Sequence, residues 1–207
     1  MVRNVMRLLA VACVAGTFSA TAVAGAKLTA SSVTAQGNYN HSASLLTDGV
    51  IPGETTHWQS ATNVWWTNQE GPGGVSFTFD YGNIYAIDDV LFSFDNNDAY
   101  RVDYSVDNSN WSFLTQVLAG DGEIGFGMDT GTSINNHPEF IANMDFQTPV
   151  NARYLRIYAI GGDNFYALAE FEAYGTDLNA VPEPSTLAMF GLCGVIGIAV
   201  RRRRRLV

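Results

Sequence analysis

Residues 75–81 read VSFTFDY, and this stretch decides the fold class of the chain. The side chains at positions 75, 77, 79 and 81 are apolar, and those between them are polar or small. A period of two is typical of a β-strand with one buried face, because successive side chains point to opposite faces. Residues 100–107 repeat the pattern, with Tyr or Val alternating with polar and charged residues. Both stretches therefore predict strands that pack one face against a core.

Further strand candidates are separated by turn signals rich in Gly, Asn and Asp. We predict strands over residues 89–94, 111–118, 140–146, 153–160 and 167–174. No window between the two ends of the chain shows a sustained helical period. Many short strands with polar turns predict an all-β fold, as a jelly-roll β-sandwich. Residues 119–139 are rich in Gly and Asn and predict a long loop.

Residues 1–26 read as a secretory signal peptide. Arg3 and Arg7 supply a positive region, and an apolar run follows them. The small residues that predict signal cleavage are Ala22, Ala24 and Ala26. Such a segment predicts export, so it is left out of the fold.

The C-terminal residues 182–207 have three parts in a fixed order. Pro182, Glu183 and Pro184 come first, and residues 187–200 are apolar or small. Five arginines follow, namely Arg201, Arg202, Arg203, Arg204 and Arg205. As a helix the apolar run is about 21 Å long, which is short against a bilayer core of about 30 Å. Because positive charge stays on the cytoplasmic side, everything before Pro182 is expected outside the cytoplasm.

This tripartite tail resembles the PEP-CTERM sorting signal of Gram-negative bacteria. The resemblance implies a precursor anchored in the inner membrane by a single hydrophobic transmembrane helix. It also implies processing by an exosortase, a membrane-embedded Cys-dependent enzyme that cuts near the Pro-Glu-Pro motif. The protein would then reach the cell surface or the extracellular polysaccharide matrix. The alternative is an ordinary C-terminal membrane anchor.

The stretch between the two ends is strongly acidic. Residues 27–180 hold four basic and 19 acidic residues, which gives a formal charge of −15. Such a surface repels nucleic acid and anionic lipid, but it is compatible with neutral glycans and with calcium. Both cysteines, Cys13 and Cys193, fall in the terminal segments, so no disulfide is expected in this stretch. Its length suits one domain with a sizeable core.

Six short segments of this domain occur in an order that points to a family. They read SLLTDG at 44–49, THWQS at 56–60, FTFDYG at 77–82, YSVDNSNW at 104–111, ARYLRI at 152–157 and LAEFEAYG at 168–175. Together they resemble the discoidin, or coagulation factor five/eight type C, domain, which is a galactose-binding-like jelly roll. The resemblance implies a domain over residues 27–175, joined by a linker of residues 176–181 to the sorting signal.

The same resemblance implies one structural Ca²⁺ ion as a cofactor. Asp48, Thr56 and Glu170 match the side-chain ligands of that site, and backbone carbonyls between positions 45 and 56 would supply the rest. Calcium takes six to eight oxygen ligands, which a loop can provide. The alternative is that Asp48 forms an Asx-turn before Gly49 and that Glu170 is merely exposed.

Ligand contacts in this family come from loops at one end of the sandwich. The residues expected there are Tyr39, His57, Trp65, Trp66, Asn164, Phe165 and Tyr166. An aromatic face can stack on a sugar ring, while Asn and His bond its hydroxyls. Trp65 and Trp66 are adjacent, so at most one of them is expected to face a ligand. Trp58 is expected to pack in the core.

Enzyme motifs are missing from the domain sequence. It has no cysteine, no Gly-x-Ser-x-Gly and no His-Glu-x-x-His. We therefore expect a non-catalytic carbohydrate-binding domain in an exported surface or extracellular-matrix protein, with a glycan as its partner. A structural surface or biofilm protein without specific glycan binding is the alternative, and a small hydrolase is a third possibility.

Overall fold

The computed structural model describes residues 25–179, so most of the predicted signal peptide and all of the sorting signal lie outside the described residues. The strands are β1 (Ala26–Lys27), β2 (Ser32–Gln36), β3 (Val64–Thr67), β4 (Ser76–Asp95), β5 (Ala99–Ser105), β6 (Ser112–Val117), β7 (Met128–Thr132), β8 (Val150–Gly161) and β9 (Phe165–Asp177). Two short 3-10 turns lie at Ala43–Leu46 and Ala142–Met144. Within this part of the chain, no helix has the length and apolar character that crossing a bilayer requires.

Strand β4 belongs to both layers of a sandwich. Its first part, residues 76–80, lies between β2 and β8. Its later part, residues 87–94, lies between β9 and β7. The register shifts between Asp80 and Tyr85, where the chain passes from one layer to the other. One layer therefore runs β2-β4-β8-β5-β6, and the other holds β7, β4 and β9 with β1 and β3 on the far edge of β9. The predicted jelly-roll β-sandwich is confirmed.

Aromatic side chains fill the space between the two layers. Phe79 of one layer stacks on Phe171 of the other, with ring centroids 4.4 Å apart. Phe77 likewise meets Trp66 across the core. All four side chains are buried. Burying a side chain of this size contributes about 1.5–3 kcal/mol, so these contacts account for much of the cohesion between the layers.

The predicted strand over residues 140–146 is wrong. The chain there forms a single bridge at Phe140 and then the 3-10 turn Ala142–Met144. Ile141 and Met144 both face the core. A 3-10 turn places residues three apart on one face, so the apolar spacing of three reflects this turn and not a strand.

The predicted loop over residues 119–139 contains strand β7, so that prediction is corrected as well. This strand buries polar side chains, which hides its alternation from the sequence. The Thr132 hydroxyl donates to the Val90 carbonyl at 2.8 Å, and the Ser93 hydroxyl donates to the Asp129 carbonyl at 2.9 Å. Because β7 pairs with β4, these bonds replace the apolar contacts expected of a buried strand.

Candidate functional site

Strand β3 divides its two tryptophans between the two faces of its layer. Trp66 pairs with Tyr166 of β9, and both side chains are 0% exposed in the core. Trp66 contacts the rings of Phe77, Tyr100 and Tyr166. A fully buried side chain cannot touch a dissolved ligand, so Trp66 and Tyr166 are removed from the expected ligand contacts.

Trp65 lies on the opposite, outer face of the same layer. Its ring meets Trp58 edge-on, with centroids 5.2 Å apart, and Trp58 lies 5.3 Å from Phe165. Met128, Ala167 and Ala169 form the floor under these rings. Trp58 is half-buried and separate from the main core, so the expectation that it packs in that core is wrong.

The ring of His57 stacks on Trp58 with centroids 5.8 Å apart. We call His57, Trp58, Trp65 and Phe165 the aromatic surface. Trp58 and Trp65 are half-buried, His57 is exposed, and Phe165 is 47% exposed. The structure thus brings together three of the expected ligand residues and adds Trp58, which the sequence assigned to the core.

A buried amide fixes the loop that carries His57 and Trp58. The Asn63 side chain is 0% exposed and donates to the carbonyls of His57 and Trp58, both at 3.1 Å. The Gln59 N–H points at Nδ1 of His57 at 3.2 Å, so Nδ1 accepts and Nε2 can donate to a ligand. The loop therefore presents an ordered ring pair and one free imidazole donor.

The remaining expected ligand residues lie at different distances from the aromatic surface. Asn164 is exposed, directly precedes Phe165 and accepts the Asn68 N–H at its carbonyl. Tyr39 is half-buried and packs edge-on against Phe77 at 5.2 Å, so it faces the core. His41, which the sequence did not single out, donates from Nδ1 to the Asn63 carbonyl at 2.7 Å and lies 6.3 Å from Trp65.

This surface has the chemistry of a platform for a ring with an apolar face. Stacked and edge-on aromatic side chains offer flat apolar area, and the imidazole of His57 and the amide of Asn164 offer hydrogen bonds. The signal that could have identified Trp58 is the alternation of β3. Once Trp65 is placed outward and Trp66 inward, Trp65 needs an outer partner, and Trp58 is the next nearest tryptophan in sequence.

Two of the three expected calcium ligands line one cavity of about 320 Å³. Asp48 and Glu170 are both in its lining, together with Lys27. Thr56 is not in the lining, and its hydroxyl donates to the Gly53 carbonyl. Asp48 Oδ1 accepts the Val50 N–H at 2.9 Å, which is the Asx-turn geometry left open by the sequence.

Glu170 is 2% exposed, so the alternative that it is merely exposed is wrong. Its Oε2 accepts the Gly49 N–H at 2.9 Å, and its Oε1 lies 3.4 Å from Lys27 Nζ. Burial raises the pKa of Glu170, against the Gly49 N–H and the Lys27 ammonium, which lower it. A cation in this cavity would compete with Lys27 for the same carboxylate.

The two arginines of β8 pair with acidic residues of neighbouring strands. Arg153 binds Asp80 through two nitrogens, at 2.8 and 2.9 Å. Arg156 bonds Asp103 at 3.2 Å. Both pairs lie on the layer β2-β4-β8-β5-β6, so neither arginine belongs to the aromatic surface.

Comparison with known families assigns this domain. The model of the F5/8 type C domain matches residues 27–171, and the PEP-CTERM protein-sorting motif matches residues 180–205. The chain therefore belongs to the F5/8 type C domain family, and it carries a PEP-CTERM sorting signal of an exported protein that is processed at the cell envelope. No curated protein matches the chain significantly.

Similar solved structures include carbohydrate-binding modules. A fucose binding module of Streptococcus pneumoniae is 12% identical, with a TM-score of 0.48, over 73% of this chain and 96% of that one. Chitosan-binding module 1 of a chitosanase/glucanase from Paenibacillus sp. IK-5 is 22% identical, with a TM-score of 0.44, over 72% and 96%. The CBM32 of AlyQ, in complex with 4,5-unsaturated mannuronic acid, is 14% identical, with a TM-score of 0.45, over 72% and 97%.

Proposed function

We propose that this chain is an exported, non-catalytic glycan-binding protein of the cell surface or extracellular matrix. The observation that carries the proposal is the aromatic surface, because Trp58, Trp65 and Phe165 are packed together outside the main core. A cluster of partly exposed aromatic side chains is costly to leave in water, and such patches mark binding sites.

The chemistry of the surface favours a sugar with one apolar ring face. The exposed ring of Phe165 can stack on such a face, while His57 Nε2 bonds a hydroxyl. The acidic charge of the domain disfavours polyanionic glycans, unless a cation bridges the two. We therefore assign neutral sugars in the surrounding polysaccharide as the ligand class.

The contacts of the histidines support a non-catalytic role. Among residues 25–179, the rings of His41, His57 and His137 make their hydrogen bonds to backbone groups. A general base of a hydrolytic triad would instead reach a nucleophilic hydroxyl. Each of these imidazoles thus bonds a main-chain group, and among the described residues none is hydrogen-bonded to a nucleophilic side chain.

The sorting signal supplies the address of the domain. In this proposal the tail helix anchors a precursor in the inner membrane, and an exosortase cuts near Pro182, Glu183 and Pro184. The domain then reaches the outer surface or the polysaccharide matrix. A plain membrane anchor is the competing possibility, and the mass of the recovered protein distinguishes the two.

We also propose a structural calcium ion held by Asp48 and Glu170, with nearby backbone carbonyls. The donor set fits a hard cation, because the two carboxylates line one cavity and Glu170 is buried. The Thr56 hydroxyl donates to the Gly53 carbonyl and does not line this cavity, so the proposed site does not use it. If the ion binds, chelation lowers the melting temperature of the full chain, and Asp48→Asn reduces that effect. Equal sensitivity in both proteins would contradict this site.

The glycan proposal is tested by a glycan array probed with the full chain in detergent, together with the host's own extracellular polysaccharide. Selective signals that disappear with Phe165→Ala support the proposal. Phe113→Ala is the matched control, since Phe113 is also exposed but lies on β6 of the other layer. A folded protein that binds no glycan would favour the structural-matrix alternative.

A further inference from the structure

Carboxylates from three separate segments converge beside strand β7. Glu54, Glu123 and Glu139 each bring one carboxylate oxygen within 4.8 Å of the others. Glu54 precedes the loop of the aromatic surface, Glu123 lies between β6 and β7, and Glu139 follows β7. None of these residues belongs to the cavity of Asp48 and Glu170.

Backbone hydrogen bonds hold two of these carboxylates against β7. The Thr55 N–H donates to the Met128 carbonyl at 3.0 Å, and the Met128 N–H donates to the Thr56 carbonyl at 2.8 Å. These bonds fix the segment of Glu54 at the start of the strand. The Thr132 N–H donates to the Glu139 carbonyl at 2.9 Å, which fixes Glu139 at its end. Main-chain hydrogen bonds therefore hold the segments of Glu54 and Glu139 beside β7.

A fourth carboxylate, that of Asp129 on β7, is buried with one oxygen unpaired. Asp129 is 1% exposed, and its Oδ1 accepts the Thr130 N–H at 2.8 Å. Its Oδ2 has no hydrogen-bond partner among the described residues, and the same holds for Oε2 of Glu139. Asp129 Oδ2 lies against Gly122, the residue before Glu123, since a Cβ added to Gly122 would lie 1.9 Å from it. Leaving a buried carboxylate oxygen unpaired is costly, so a missing partner is indicated.

We propose that Glu54, Glu123, Asp129 and Glu139 form a binding site for a hard divalent cation of the calcium class. Calcium binds oxygens at about 2.3–2.6 Å, so ligands on opposite sides of the ion lie about 5 Å apart. The glutamate oxygens lie within 4.8 Å of one another, which is inside this span. Four carboxylates and no sulfur ligand favour calcium over zinc or copper. Glu54 and Glu123 are exposed, which leaves one side open for water ligands and for entry.

Mutual repulsion of the carboxylates supports the site. The carboxylates of Glu54, Glu123 and Glu139 lie within 4.8 Å of one another, so their negative charges repel. A bound cation would remove this repulsion and satisfy both unpaired oxygens. It would also fasten Thr55 and Thr56, and hence the loop that continues into His57, to strand β7.

The test is the calcium stoichiometry of the full chain in detergent, after removal of metal with EGTA, by isothermal titration with calcium chloride. We compare wild type with a Glu123→Gln/Glu139→Gln variant and with Asp48→Asn, which lies in the other cavity. The expected result is that the double variant binds one calcium ion fewer than wild type, whereas Asp48→Asn keeps that ion. Equal stoichiometry of the double variant and wild type would overturn the proposal, as would a wild type that binds no calcium.

Thermal unfolding of the same proteins provides the second measurement. Glutamine removes charge repulsion, so without calcium the double variant is expected to melt at or above the wild-type temperature. Calcium is expected to raise the melting temperature of Asp48→Asn, and to raise that of the double variant by less than that of wild type. If calcium raises the melting temperatures of wild type and the double variant by the same amount, the four carboxylates bind no cation, and the proposal fails.

Discussion

The ring of Trp58 stands edge-on to the ring of Trp65, with centroids 5.2 Å apart and planes at 89°. The pair lies on the outer face of the layer formed by β3 and β9, above Met128, Ala167 and Ala169. Neither ring contributes to the main core between the layers. This second, half-exposed apolar cluster is the feature on which the glycan-binding proposal rests.

The two neighbouring tryptophans of β3 are expected to differ in their effect on stability. Trp66→Ala leaves a cavity in the core and is expected to lower the free energy of unfolding by about 3–5 kcal/mol. Trp65→Ala is expected to lower the free energy of unfolding by less, because Trp65 is half-buried on the outer face of its layer and does not lie between the two layers. Urea unfolding of the full chain measures both. Equal losses would show that Trp65 belongs to the core.

Asn63 is expected to control the loop of the aromatic surface. Asn63→Ala leaves the carbonyls of His57 and Trp58 without their buried donor, which is expected to cost about 1–3 kcal/mol of unfolding free energy. Glycan binding is expected to weaken even where the fold persists. Asn110→Ala, at an exposed position, serves as the control and is expected to change neither quantity as much. Unchanged binding by folded Asn63→Ala would contradict this role.

A buried carboxyl group is expected to make stability fall as the pH rises. Burial raises the pKa of Asp98 to about 8, and the charges of Asp95 and Asp163 add to the effect. Between the unfolded pKa of about 4 and this value, the folded protein holds a proton that the unfolded chain has lost. The contribution of Asp98 to stability therefore decreases from pH 4 to pH 8, by at most about 1.4 kcal/mol per pH unit.

The variant Asp98→Asn isolates this effect. Asn resembles the protonated carboxyl, so the variant is expected to become more stable relative to wild type as the pH rises from 5 to 8. Urea unfolding at both pH values measures the difference. Parallel pH profiles for the two proteins would show that Asp98 ionises normally in the folded state.

Processing of the tail is expected to be visible in the mass of the protein recovered from the cell surface. If an exosortase cuts near Glu183, intact mass spectrometry finds a protein that lacks Arg201 to Arg205. A Pro182→Ala/Glu183→Ala variant is expected to retain them, because the recognition motif is lost. Wild-type protein that reaches the surface with all five arginines would point to a plain membrane anchor.

The sequence predicted those strands whose alternation is regular. Residues 75–81 and 100–107 show one apolar face, and the structure places β4 and β5 there. The alternation of β3 could not be assigned to inside and outside, because Trp65 and Trp66 are equally apolar. Strand β7 was missed because it buries the polar side chains of Asp129 and Thr132, so its sequence shows no apolar alternation.

The candidate site was predictable only in part, because contacts between segments distant in sequence complete it. His57, Trp65 and Phe165 could be named as aromatic or polar loop residues, but their common partner Trp58 depends on the tertiary packing of two layers. The carboxylates beside β7 come from segments 85 residues apart in sequence, from Glu54 to Glu139, and no local motif links them. Main-chain bonds of Thr55 and Thr56 to Met128, and of Thr132 to Glu139, bring two of these segments to β7.

The central claim is that the aromatic surface binds a sugar, and its most direct test is the affinity of two matched variants. Phe165 and Phe113 are 47% and 49% exposed, on different layers of the sandwich. The measurement is isothermal titration of the full chain with the glycan that gives the strongest array signal. We expect Phe165→Ala to bind at least about tenfold more weakly, or about 1.4 kcal/mol, and Phe113→Ala to bind like wild type. Equal affinity of both variants and wild type would place the ligand elsewhere and contradict the account.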